Sequence, residues 1–425
     1  MTLTEAAHWT KKLIWFVILG FFLFFLLITI LLRQETVRDP LYSEANNGCT
    51  TYAEDFLAHR LEIPSLPYTA NPGTFRIETD TGRFVQFPDI VNVYRYANPG
   101  QTLTSQRDAK LIAENLGFNP ETMRRIGTTT YRWEDRYSRE LTVEARNLPF
   151  LFSVDLTRNT NLPPAGSLPT ASDAVNRARA FLRRANLLSS DYANESPTTI
   201  DITIEPEGTF REAKARVDAD LVRVDFQRMK SMITIPENIE GAQEIKESLE
   251  RRIGDSTRYN SRTGQIQTPE GRVDTFTFEI ELVTHNPNKS NISMYMGGNN
   301  PNLNISDARD IYHLEYKNWI IEPDHCGTYQ LVSPDTAIEQ IQAGNGSLVY
   351  LREKHGDIIV PHRERSVERF DIRNISIRYY DAPDEQAFLQ PIYTVYGDAI
   401  FSEGEDGEFI FYYPAIDYDL VRDNI

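Results

Sequence analysis

Cysteine is nearly absent from this chain. Only Cys49 and Cys326 occur among 425 residues. So few thiols exclude a disulfide-dense scaffold and the clustered cysteines of a structural zinc site. In an oxidising compartment the two can pair; elsewhere they are two small apolar side chains. A bridge would close a loop of roughly 280 residues, worth up to about 5 kcal/mol by chain-entropy arithmetic. Spacing alone leaves both readings open, because a bridge needs Cα atoms within about 7 Å. Histidine is scarce too, at seven residues. The chain contains no His-Glu-x-x-His, Gly-x-Ser-x-Gly or P-loop, and no Gly-x-Gly-x-x-Gly between a strand and a helix. No catalytic residue is assigned from motifs, and no cofactor is expected. Positive charge is in deficit, with 44 Lys and Arg against 61 Asp and Glu and a net charge of −17. That balance excludes nucleic acid, which needs basic patches to neutralise phosphates.

Long apolar runs are missing with one exception. Residues 13–32 read LIWFVILGFFLFFLLITILL, without a charge. A helix of about 20 apolar residues is the length that crosses a bilayer. The expectation is a transmembrane helix over 13–32, a cytoplasmic tail over 1–12 and a signal anchor in the cell membrane. A cleaved signal peptide would have a shorter apolar core and a small-x-small site, and Leu31-Leu32-Arg33-Gln34 offers none. Lys11 and Lys12 before the run are matched by Arg33 and Arg38 after it. The short tail then favours a cytoplasmic N-terminus and an extracytoplasmic bulk. Contact with membrane lipid would be confined to the anchor.

Residues 33–70 read as a stalk with a short helix over Tyr52–Leu61. Beyond it the chain alternates helix starts with strand patterns. Ser105, Thr170 and Ser333 each supply a hydroxyl cap, with Ala109, Ala174 and Ala337 four residues later. A capping hydroxyl accepts a bond from an otherwise orphaned backbone N–H. Apolar residues then recur at helical spacing, so each helix buries one face. Runs with period two follow each helix, as in Glu140–Ala145, Thr199–Glu205 and Phe370–Tyr380. The expected fold is α+β: repeated modules of a helix on an antiparallel sheet, over 71–165, 166–285 and 286–425. An inserted amphipathic helix is expected at 236–253 and a polar loop over Asp255–Arg272. Residues His285–Asn304 contain seven Asn from Asn286 onward and read as an exposed excursion.

Metal-capable side chains gather only at His313, Asp324, His325 and Cys326, without the ligand spacing of structural zinc. Glu403, Glu405, Asp406 and Glu408 read as an acidic hairpin tip. Tyr379, Tyr380, Tyr393, Tyr396 and the run Phe409–Tyr413 offer either a sugar-binding face or core filling, and aromatics favour strands in any case.

The C-terminal part has a recognisable order of segments: Tyr329–Ser333, the capped helix, Ile375–Tyr380, Leu389-Gln390-Pro391-Ile392-Tyr393, and Phe409–Ile416. It resembles the YycH/YycI regulators over about ninety residues. The resemblance implies PepSY-like modules and a membrane-anchored protein that modulates an envelope sensor kinase. It names no catalytic residue. The leading expectation is a non-enzymatic protein that binds a membrane or envelope protein. The alternatives are a PepSY-like protease inhibitor or folding assistant, and an envelope glycan hydrolase with two carboxylates about 5–10 Å apart.

Overall fold

A computed structural model describes residues 45–49, 53–70, 75–79, 84, 87–97, 102–164, 166–192, 197–239, 241–250, 259–268, 271–287, 289–302, 308–317, 319–353, 366–382, 386–403 and 406–423. The strands begin from simple alternation. In Phe150–Val154 the side chains of Phe150, Phe152 and Val154 are buried while Leu151 faces out. Arg139–Glu144 and Thr130–Glu134 repeat the pattern through Leu141, Val143, Tyr131 and Trp133. Successive residues of a strand point to opposite faces, so these runs present one apolar surface.

Among the described residues that surface belongs to a nine-stranded sheet. Its spatial order is 124–126, 130–134, 139–144, 150–154, 311–316, 292–296, 221–226, 198–204, 210–212. Every pairing in it is antiparallel. Helices Ser105–Asn115 and Ala171–Arg184 close the apolar face. They place Ala109, Ile112 and Ala113, and Ala174, Ala178, Phe181 and Leu182, into the same core. The Thr170 hydroxyl caps the second helix by accepting from the Asp173 N–H at 3.1 Å. The first helix starts at Ser105 without a side-chain cap bond from Thr104. Its chain turns away at Gly117, whose φ of 77° suits glycine.

An eleven-stranded sheet carries a second, separate core. Its path runs 229–236, 271–284, 366–381, 388–401, 407–414, 347–353. Asn260–Thr268 pairs with 271–284, and Ile90–Tyr96 bridges 321–330 to 388–401. Short strands Thr69–Ala70 and Phe75–Ile77 run parallel to Ser366–Asp381. Helices Ala242–Glu250 and Pro334–Gln340 pack on this core through Ala242, Ile245, Leu249, Ala337 and Ile338. Ser333 caps the latter, accepting from Thr336 N–H at 3.1 Å. In the long central pair the register slips between Ile372 and Asn374, opposite Gly397. A Cβ at Gly397 would overlap the Asp371 carbonyl oxygen, so the bulge requires glycine there.

Several expectations are corrected. The fold is dominated by two large sheets rather than by repeated α+β modules. The nine-stranded sheet draws strands from all three expected modules, since Phe150–Val154 pairs with Ile311–Tyr316. Local helix–strand order cannot reveal such pairings, because each strand has two edges and either accepts a distant partner. The expected span 13–32 and tail 1–12 lie outside the described residues. Among the described residues no helix is long and apolar enough to cross a membrane, so the expectation of a membrane-spanning signal anchor finds no such helix there. Residues 53–70 are integrated rather than stalk-like: Phe56 is fully buried and stacks on Tyr329 at 4.3 Å. The polar loop expected over 255–272 contains the strand Asn260–Thr268. The Asn-rich excursion contains the strand Ile292–Met296, with Ile292 and Met294 fully buried.

Candidate functional site

The chain passes between the two sheets four times among the described residues. The passages fall after Tyr96, Phe226, Thr284 and Tyr316. They meet in one seam. The Arg228 backbone N–H donates to Asn291 Oδ1 at 3.0 Å, and the Leu282 N–H donates to the Arg228 carbonyl at 2.8 Å. The Lys317 N–H donates to the Asn291 carbonyl at 2.9 Å, and the Ala97 N–H to the Ile320 carbonyl at 2.8 Å. Short crossing segments cannot continue either sheet's ladder, so their backbone groups need these partners.

Charged side chains complete the seam. Arg228 is 2% exposed. Its Nη1 donates to the Trp319 carbonyl at 2.6 Å and its Nη2 to Asp191 Oδ2 at 2.5 Å. Lys230 Nζ reaches Asp191 Oδ1 at 3.0 Å and sits 5.3 Å from the centroid of the Tyr94 ring. Behind Arg228, Asp381 accepts from Tyr96 Oη at 2.9 Å and from Asn291 Nδ2 at 2.6 Å. Burial raises the pKa of Asp381, opposed by the Arg228 charge. Burial works against the Arg228 charge as well, but Tyr192, Asp191 and Asp381 outweigh it and its pKa rises. A buried ion pair holds its place only when its remaining donors and acceptors are satisfied. The pair meets that condition except at Arg228 Nε, and beside it Tyr192 Oη and Ser189 Oγ are also buried without a hydrogen-bond partner among the described residues.

A cavity of about 580 Å³ opens on this seam. Asp191, Arg228 and Lys230 line it together with Ser189, Ile320 and Ile321. On the other wall stand Arg262 and Glu279, neighbours on the 260–284 hairpin and an ion pair. The volume falls in the range of about 300–1,000 Å³ typical of ligand sites. Tyr94 anchors the wall between them, its hydroxyl donating to the Ser231 carbonyl at 2.8 Å. The site therefore combines a charged floor, hydroxyls and an apolar lip, with Asp191 on the 3-10 turn Ser190–Tyr192 and the other charged groups on or beside strands.

The side chains singled out from sequence lie elsewhere. His313 is on the nine-stranded sheet, with Nε2 3.4 Å from Glu315 Oε1. Asp324, His325 and Cys326 lie on strand Ile321–Gln330 of the other sheet. Cys326 is bonded to Cys49, with Cα atoms 4.5 Å apart. Among the described residues no three His, Cys, Asp or Glu side chains gather as a metal site. Glu403, Asp406 and Glu408 flank the turn between strands Phe388–Phe401 and Gly407–Pro414, and Glu405 lies outside the described residues. Tyr379, Tyr380, Tyr393 and Tyr412 are buried in the core, so they present no sugar-binding face. Motif reading misses the seam because its residues come from four remote segments. One signal did exist: Gln227-Arg228 interrupts two back-to-back strand patterns, and a charged residue between two buried runs marks a crossing.

No family model matches the chain, and no curated protein is similar to it at a significant level. The resemblance to the YycH/YycI regulators thus gains no support from these comparisons. Among solved structures, an uncharacterized protein from Eubacterium rectale ATCC 33656 aligns over 83% of this chain and 92% of its own, with 10% identity and a TM-score of 0.35.

Proposed function

We propose that this is a non-enzymatic binding protein that works outside the cytoplasm and holds a segment of a partner protein in the seam cleft. The observation that carries the reading is the cleft itself: a roomy, mixed-charge trough whose floor is fixed by the buried Asp191–Arg228 pair. Preorganised groups on rigid elements favour binding, because little ordering cost remains when the ligand arrives. The Cys49–Cys326 bridge supports an oxidising compartment, where such bonds persist. Asp191 and Glu279 both line the trough, but each is held by cations. A glycosidase needs one carboxyl group able to protonate its leaving oxygen, so hydrolysis is the weaker reading.

Crosslinking from the rim tests the proposal. A photoreactive amino acid replaces Ile320, which is 47% exposed beside the cleft. In the native host it should give one discrete protein adduct, lost when Lys230→Glu reverses the floor charge. The same probe at Val217, exposed on the turn Arg216–Asp218 outside the cleft lining, should give none. Identical adducts from both positions would contradict the assignment.

A further inference from the structure

We infer that the seam cleft recognises a carboxylate carried by a peptide, either a chain end or an acidic side chain. This rests on the binding reading above and adds the chemistry of the group bound. Charge is the first argument. The floor holds two cations, Arg228 and Lys230, against one carboxylate, Asp191. Arg262 and Glu279 on the opposite wall cancel one another. Asp381, behind Arg228, lies outside the cleft lining and already accepts two hydrogen bonds. The lining thus carries three cations against two carboxylates, in a chain whose net charge is −17.

Hydrogen bonding is the second argument. Arg228 Nε and Ser189 Oγ are donors without acceptors among the described residues, and both residues line the cleft. Lys230 carries three N–H donors, and Asp191 is its hydrogen-bonding anion. Unmet donors beside an uncompensated positive charge are complementary to an oxyanion, which would make charge-assisted bonds to them. A single excess charge matches a monoanionic carboxylate better than a dianionic phosphate. Ile320, Ile321 and Pro323 on the adjacent lip give the aliphatic part of a peptide a surface to cover.

The test uses the intact protein with ¹⁵N-labelled arginine and four probes: acetyl-dialanine free acid, its amide, an amidated acetyl-Ala-Glu-Ala, and inorganic phosphate. The free acid, the Glu peptide or both should shift the Arg228 Nε–H resonance in a saturable way, and the dialanine amide should not. Preference between the first two identifies the source of the carboxylate. Lys230→Met should weaken binding of the carboxylate probe by about tenfold or more, as expected for loss of one charge-assisted bond. Ser189→Ala, which leaves the ion pair intact, should weaken it by a smaller factor and serves if the lysine variant does not fold. Equal binding of acid and amide, tighter binding of phosphate, or no response to any probe would overturn the inference. If the Ile320 crosslink survives such a result, the partner-binding reading stands and only the carboxylate chemistry falls. If the crosslink is absent as well, both fall.

Discussion

Replacing both cysteines, Cys49→Ala with Cys326→Ala, removes a bond between residues 277 apart in sequence. For a loop that long the chain-entropy expression gives about 5 kcal/mol as an upper value, whereas measured bridges typically contribute about 2–4 kcal/mol. The bridge acts mainly on the unfolded chain, so what the structure decides is whether the native fold survives without it. The segment around Cys49 is also held by non-covalent contacts: Asn47 N–H donates to the Thr328 carbonyl at 3.1 Å, and Thr328 N–H donates to Asn46 Oδ1 at 2.9 Å. Phe56 remains stacked on Tyr329 and tilted against Phe388, with centroid distances of 4.3 and 5.2 Å. These contacts keep the native fold available without the bridge, so the loss should fall on global stability rather than on structure. Urea unfolding of the oxidised protein and the double variant should therefore differ by about 2–4 kcal/mol, with unchanged circular dichroism in the absence of denaturant. A difference below about 1 kcal/mol, or two titratable thiols in protein isolated from its native compartment, would refute the reasoning.

The remaining predictions concern the seam, the core and acid stability. Asp191→Asn leaves Arg228 buried without its carboxylate and should cost about 3–5 kcal/mol in denaturant unfolding, whereas Asp173→Asn at an exposed cap should cost under about 1 kcal/mol. Phe56→Ala should cost about 3–5 kcal/mol and make residues 53–70 accessible to limited proteolysis at low denaturant. Gly397→Ala should be more damaging than its size suggests, because the new methyl meets the Asp371 carbonyl; thermal unfolding measures it. The Glu315 carboxyl is held down to about 2, first by the hydrogen bond from His313 and then by Lys289, against the effect of burial. A carboxylate whose folded pKa lies below its unfolded value adds stability above pH 4.5 that is lost as pH falls toward 2. At about 1.4 kcal/mol per tenfold shift this is at most about 3–4 kcal/mol, less after solvent screening of a group that is 26% exposed. Glu315→Gln should flatten the acid limb of the stability profile over that window.

Parts of this architecture can be read from residues alone because they are local. Thr170 and Ser333 cap helices where their hydroxyls suggest, and the alternation in Phe150–Val154 gives the strand and its buried face. Pairing is different. Nothing near Phe150 announces Tyr316 as its partner, since an apolar strand edge is chemically much like any other. The Asn-rich stretch misleads for a physical reason: asparagine suits turns, yet Ile292, Met294 and Met296 alternate inside it and decide the outcome by burial. The seam is the least visible part. Asp191, Arg228, Asn291 and Asp381 are 37 to 90 residues apart along the chain in the contacts they make. Each is unremarkable as a single polar residue, and together they form the clasp between sheets.

Hydrogen exchange on the intact protein, alone and with the partner identified by the Ile320 crosslink, is the most direct test of the seam as the binding site. Added protection should be concentrated at 189–192, 228–231, 260–262 and 319–323, the segments that wall the cleft. Protection concentrated instead on helix Ala171–Arg184 or on the far edge Arg124–Ile126 would contradict the account, because both lie on the nine-stranded unit outside the cleft lining.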